Sequence, residues 1–295
     1  MRMNCSRCSP GMPSNERIDL KPGNAARQHW HTAAPARSAM ALLYLHGFSA
    51  SPGEAGALPE RIADALEANC YVHRWPGHGC SAADAMQGLT PTALQDSALE
   101  ALAQAQRMGE RVAIVGSSMG ATLGLWLAAH RPARIAAVVA WSPGIQPTHP
   151  GLLDRLCQAQ APVTDPYPRT EAALAYWSQT VHPDGFRALR DLFALFAADP
   201  PWPQVHCPVM LGYYRGADGE EDQISSVPAM LAMFEALGTA PSQKQAVAFA
   251  SGAHAIGSPH KTPMAEAVAQ ATVDFLRMQV GGARRSNTAA DDRPR

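Results

Sequence analysis

Apolar residues in this chain gather in short, often β-branched runs, separated by longer stretches that read as helices. Residues 41–45, 112–115 and 134–141 have the apolar character of buried strands, and residues 70–75, 209–214 and 245–249 read as further strands. Between and after them, residues 59–67, 92–108, 121–130, 227–237 and 263–278 read as helices, the third of them stopped by Pro132. Strand and helix alternate almost throughout. That rhythm implies right-handed crossovers and an α/β fold with a doubly wound, mostly parallel sheet covered on both faces.

The rhythm breaks once. Residues 146–205 hold nine prolines and the aromatics Trp177, Phe186, Phe193, Phe196 and Trp202, with helical stretches between. They are expected to form a helical cap inserted above the sheet, dividing a core of residues 39–145 and 206–279. Residues 1–38, polar and broken by Pro10, Pro13, Pro22 and Pro35, are expected to be poorly ordered, with room for one edge strand. Residues 280–295 read as a disordered polar tail.

The 295 residues, 46% of them hydrophobic and 17% charged, suit one large α/β domain with an insertion. A formal net charge of −1 gives no electrostatic reason to expect nucleic acid or an anionic membrane as partner. No apolar run approaches the ~20 residues of a membrane helix, and no signal peptide is visible, so a cytoplasmic protein without stable membrane insertion is expected. Cys5 and Cys8 form a C-x-x-C pair, but no second ligand pair lies near. The six cysteines are read as free thiols, and no metal site is expected.

Candidate chemistry centres on residues 111–130. A β-branched run ends in Gly116-Ser117-Ser118-Met119-Gly120, and a Leu- and Ala-rich helix follows at once. In G-x-S-x-G between a strand and a helix, the middle residue is forced into a strained conformation, and side chains two positions away would meet neighbouring backbone. Ser118 is thereby held out at a helix N-terminus as a candidate nucleophile. A serine needs a base, and the base an orienting acid. His254 follows the last strand and Asp222 the strand before it, at the sheet edge where open α/β folds collect their active groups.

The order Ser118, Asp222, His254 is that of the α/β-hydrolases, and the chain resembles that family over about residues 40–278. It is most similar to the carboxylesterase and monoacylglycerol-lipase branch, grouped with serine aminopeptidase-like enzymes. The resemblance is carried by His46-Gly47-Phe48, Pro76-Gly77-His78-Gly79, the Gly116–Gly120 turn and Gly252-Ala253-His254. It implies the α/β-hydrolase fold and a small acyl ester as substrate, cleaved through an acyl-serine with no cofactor. The backbone N–H groups of Phe48 and Met119 then form the oxyanion hole, and His46 and His78 serve as scaffold. Arg74-Trp75 departs from the family pattern, which often has an acid ahead of the proline.

Asp222, followed by Gln223-Ile224, resembles the end of the family's acid loop, whereas Asp218 lies in Gly216-Ala217-Asp218-Gly219, a common solvated turn. Asp222 is therefore assigned as the acid, with Asp218 the alternative. Trp177 and Phe193 are candidate substrate-binding residues, and the cap's own small core is the competing reading. Acyltransferase, thioesterase or aminopeptidase chemistry on the same triad, or a non-catalytic binding protein on this fold, are the alternative functions. Nothing in the sequence bears on oligomeric state.

Overall fold

The computed structural model describes residues 19–280; Cys5, Cys8 and all of the polar tail but Val280 lie outside them. In chain order the elements are β1 (Arg27–His29), β2 (Ser38–Leu45), α1 (Leu58–Ala65), β3 (Asn69–Val72), α2 (Pro91–Met108), β4 (Gly109–Ser117), α3 (Met119–His130) and β5 (Ile135–Trp141). There follow α4 (Pro150–Cys157), β6 (Val163–Thr164), α5 (Glu171–Tyr176), β7 (Thr180–Val181) and α6 (Pro183–Ala198). The chain closes with β8 (Val209–Tyr214), α7 (Val227–Glu235), β9 (Lys244–Phe249) and α8 (Ala265–Val280).

Seven strands form one sheet in the order β1-β3-β2-β4-β5-β8-β9. All neighbours pair in parallel except β1, an antiparallel edge strand on β3. Alternate residues of the central strands feed two separate cores. Leu43, Leu45, Val112 and Ile114 pack with residues of α2, α3 and α7 on one face. Leu42, Tyr44, Ala113 and Val115 pack with α1 and α8 on the other. Burial on both faces is why these strands read as unbroken apolar runs.

Strand β3 is shorter than the 70–75 expected from the sequence. His73 N–H still donates to the Tyr44 carbonyl at 3.0 Å, but Trp75 N–H turns away to His46 Nε2 at 3.2 Å, which ends the ladder. Residues 146–205 leave the sheet between β5 and β8, which are neighbours within it. Besides helices they contain the antiparallel pair β6–β7, which short polar runs do not announce. The segment before β1 grips α5: Lys21 Nζ donates to the carbonyls of Leu174 (2.7 Å) and Trp177 (3.0 Å), and Asn24 Nδ2 to that of Ala175 (2.9 Å).

Candidate active site

The turn from β4 into α3 is as tight as its glycines suggest. Ser118 has φ 51° and ψ −121°, a left-handed backbone that L side chains rarely adopt. A Cβ at Gly116 would lie 2.5 Å from Ala121 N, and one at Gly120 only 2.1 Å from the Leu45 carbonyl oxygen. Both glycines are therefore demanded by backbone packing. Ser118 N–H donates to the Trp141 carbonyl at 2.9 Å, which anchors the turn on β5. Its side chain opens onto a cavity of about 510 Å³.

His254 reaches the same cavity from the loop after β9, and Asp222 lies behind it in the loop after β8. His254 Nδ1–H donates to Asp222 Oδ2 at 2.5 Å. The other carboxylate oxygen, Oδ1, accepts from Ile224 N–H (2.8 Å) and Ser225 N–H (3.1 Å). The Asp222 side chain is fully buried, and His254 is 17% exposed. Burial pushes the Asp222 carboxyl up, but the hydrogen bond and charge of His254 and the two N–H donors outweigh it, holding the group below its ordinary value. His254 Nε2 is buried with no partner among the described residues. Asp218, by contrast, is exposed in a turn closed by Gly219 N–H to the Gly216 carbonyl.

Two backbone donors of the flanking turns are unpaired among the described residues: Phe48 N–H, after β2, and Met119 N–H, at the start of α3. The loop carrying Phe48 is held from several sides. His46 Nδ1–H donates to the Gly47 carbonyl at 2.9 Å, and its Nε2 accepts from Trp75 N–H. Burial keeps His46 neutral, its pKa far below the ordinary value, as a ring accepting at Nε2 requires. Trp75 Nε1–H donates to the His46 carbonyl at 2.8 Å, and Arg74 reaches the His78 carbonyl at 3.1 Å. The Phe48 ring meets His78 edge-on at 5.7 Å.

The cavity walls are mostly apolar. Trp177 and Phe193 both line it, joined by Leu152, Leu156, Phe186 and Leu189 from α4 and α6. The leucines escaped sequence reasoning because an apolar helical stripe looks the same over a core as over a cavity. Glu54 was missed too. It lies in a 3-10 turn, Pro52–Ala55, is 2% exposed, and lines the cavity beside Ser118. Its only sequence signal is a lone charge in the small-residue stretch after His46-Gly47-Phe48.

Residues 42–271 match the model of the Alpha/beta hydrolase family. The chain belongs to that family. No curated protein matches the sequence significantly. Among solved structures, this α/β-hydrolase is similar to one described with LipS and LipT, two metagenome-derived lipolytic enzymes. The TM-score there is 0.71 at 18% identity, covering 88% of this chain and 99% of that one. It is also similar to the Paleococcus ferrophilus monoacylglycerol lipase (TM-score 0.63, 17% identity, 86% and 98% covered). A soluble variant of Saccharomyces cerevisiae monoglyceride lipase is a further match (0.65, 12%, 91% and 99%). At such identities the likeness is one of fold.

Proposed function

We propose that this chain is a serine hydrolase that cleaves carboxylic esters through an acyl-serine intermediate. The observation that carries the reading is the His254–Asp222 pair, with its unpartnered Nε2, on the cavity into which a strained Ser118 opens. His254 Nε2 takes the Ser118 proton as Oγ bonds to the ester carbonyl carbon. The carbonyl oxygen becomes an oxyanion, stabilised by the N–H groups of Phe48 and Met119. His254 passes its proton to the alcohol oxygen as that bond breaks. Water, deprotonated by His254, then attacks the acyl-serine, and His254 returns the proton to Ser118 Oγ as the acid leaves. Asp222 stays ionised and supports the imidazolium at both transition states.

Residues 146–205 act as a cap in this reading, with Trp177 and Phe193 contacting the apolar part of the ester. A cavity of about 510 Å³ with leucine and phenylalanine walls suits an aliphatic or aromatic acyl or alcohol group rather than a strongly hydrated one. The lipolytic and monoacylglycerol-cleaving relatives in fold agree with that substrate class. The test is covalent labelling by a fluorophosphonate, mapped by mass spectrometry, with hydrolysis of p-nitrophenyl esters of graded acyl length. Labelling at Ser118 and loss of both signals in S118A are expected. Turnover retained in a folded S118A variant overturns the reading.

A further inference from the structure

The triad and the two N–H donors leave one buried ionisable group on the cavity wall unused. Glu54 Oε1 accepts from Gly47 N–H at 2.8 Å and from the Tyr44 hydroxyl at 2.9 Å. Its other oxygen, Oε2, receives neither bond. Oε2 would lie 3.5 Å from a Cβ built on Gly47, a point only 3.3 Å from Ser118 Cβ. The Ser117 hydroxyl, from β4, is the polar group beside the carboxyl. The Glu54 carbonyl accepts from Ser258 Oγ at 2.5 Å, which ties the same residue to the His254 loop.

The distribution of donors indicates the protonation state. A buried carboxylate calls for donors on both oxygens, whereas a neutral acid needs acceptor contacts at its hydroxyl oxygen. Here both directional bonds converge on Oε1, as on a carbonyl oxygen, while the Ser117 hydroxyl beside the carboxyl can donate or accept and so fits either state. Resting on the hydrolase reading above, we propose that Glu54 is a positioning residue that works as a neutral acid. It braces the oxyanion loop at Gly47 against the nucleophile turn at Ser117, the two segments that supply the Phe48 and Met119 N–H groups.

The surroundings agree. Burial pushes the carboxyl up to about 7, against the pull of the Gly47 and Tyr44 bonds, of His254 and of the Ser117 hydroxyl. The titratable groups facing it are the Tyr44 phenol from β2 and His254 from the loop after β9; the paired Arg27 and Glu60 lie beyond Tyr44. Above neutrality the ionised form can only accept from the Ser117 hydroxyl. It would also set a negative charge on the Gly47 N–H, one peptide before the Phe48 N–H that must stabilise an oxyanion.

The experiment compares E54Q, E54A and wild type from pH 5.5 to 8.5 on p-nitrophenyl butyrate, read where product absorbance is independent of pH. Gln can accept at Oε1 and donate from Nε2, so it copies the neutral acid and cannot ionise. E54A is expected to lose about a hundredfold in kcat, with KM within about threefold, as when one oxyanion donor is lost. E54Q is expected to recover most of that loss at pH 6, and its rate relative to wild type to rise about tenfold by pH 8. A flat E54Q-to-wild-type ratio across this range, or an E54Q as poor as E54A at pH 6, overturns the proposal. If E54A does not fold, the E54Q ratio decides alone. Fluorophosphonate labelling of wild-type Ser118 separates the two claims. No labelling sinks the hydrolase reading itself, whereas labelling with a flat ratio sinks only the role of Glu54.

Discussion

The Nδ1 of His254 stands 2.5 Å from Asp222 Oδ2, whereas Asp218, four residues earlier, is exposed in a separate turn. Only one of the two carboxylates can hold the imidazole tautomer. D222N is expected to lower kcat by about 10⁴, the scale set by losing the tautomer-fixing acid in a Ser-His-Asp site. D218N is expected to stay within about twofold of wild type. Steady-state kinetics on one activated ester, with circular dichroism to verify folding, checks both. The reverse ranking would move the acid to Asp218.

The two buried carboxyls pull stability in opposite directions with pH. Asp222, held below its ordinary value, stabilises the fold above the unfolded pKa and loses that contribution as pH falls through the folded one. Glu54, raised to about 7, does the opposite. Stability is full below about pH 4.5, where both folded and unfolded forms are protonated, and falls until pH 7, by about 3 kcal/mol. His73 and His78, buried and lowered to about 3 and about 4, oppose Glu54 by losing stability as pH drops below the ordinary histidine value. The wild-type curve therefore does not isolate Glu54. Denaturant melts of E54Q and wild type at pH 5 and pH 8 should show a difference that grows in favour of E54Q at the higher pH.

At the nucleophile turn, G116A and G120A force a methyl group against backbone that cannot swing aside. Each is expected to cost roughly 3 kcal/mol or more, or to abolish soluble expression. G53A is a useful contrast. Its Cβ would come within 2.1 Å of the Tyr176 ring, a side chain rather than backbone but one stacked on His260, so a loss of melting temperature that also loosens α5 is expected.

On the cavity wall, F193A and W177A are expected to change the ranking among acyl lengths, with longer chains gaining relative to acetate. Phe193 also packs 3.2 Å from the Cβ position of Gly144, next to Met119 N–H, so F193A should slow all esters as well. Rates for C2 to C12 p-nitrophenyl esters check this. An unchanged ranking in both variants returns these aromatics to the interior of residues 146–205.

Sequence alone conveyed the central strands and their crossovers because burial on both faces writes itself as unbroken apolar runs, whereas the edge strand β9 is largely open to solvent. Strand Val209–Tyr214 matches its apolar run residue for residue. The Gly116–Gly120 turn was legible for steric reasons now visible as contacts of its missing Cβ atoms with Ala121 and Leu45. Other features depend on meetings across the chain that no local pattern records. The early end of β3 reflects Trp75 bonding to His46, 29 residues away. Glu54 has no local signature of burial, since a glutamate in a Pro-Gly-Glu turn ordinarily faces water.

The bonds from Lys21 and Asn24 to the carbonyls of Leu174, Ala175 and Trp177 make the leading segment a remote clamp on one wall of the cavity. It touches none of the triad. A chain trimmed past Asn24 would keep the 2.5 Å His254–Asp222 bond and the Ser118 turn, yet release α5 and with it the Trp177 indole. Selectivity among esters would then drift while intrinsic reactivity at Ser118 held. Variation in so unassuming a stretch is thus a route by which substrate preference can change without any residue near the ester being altered.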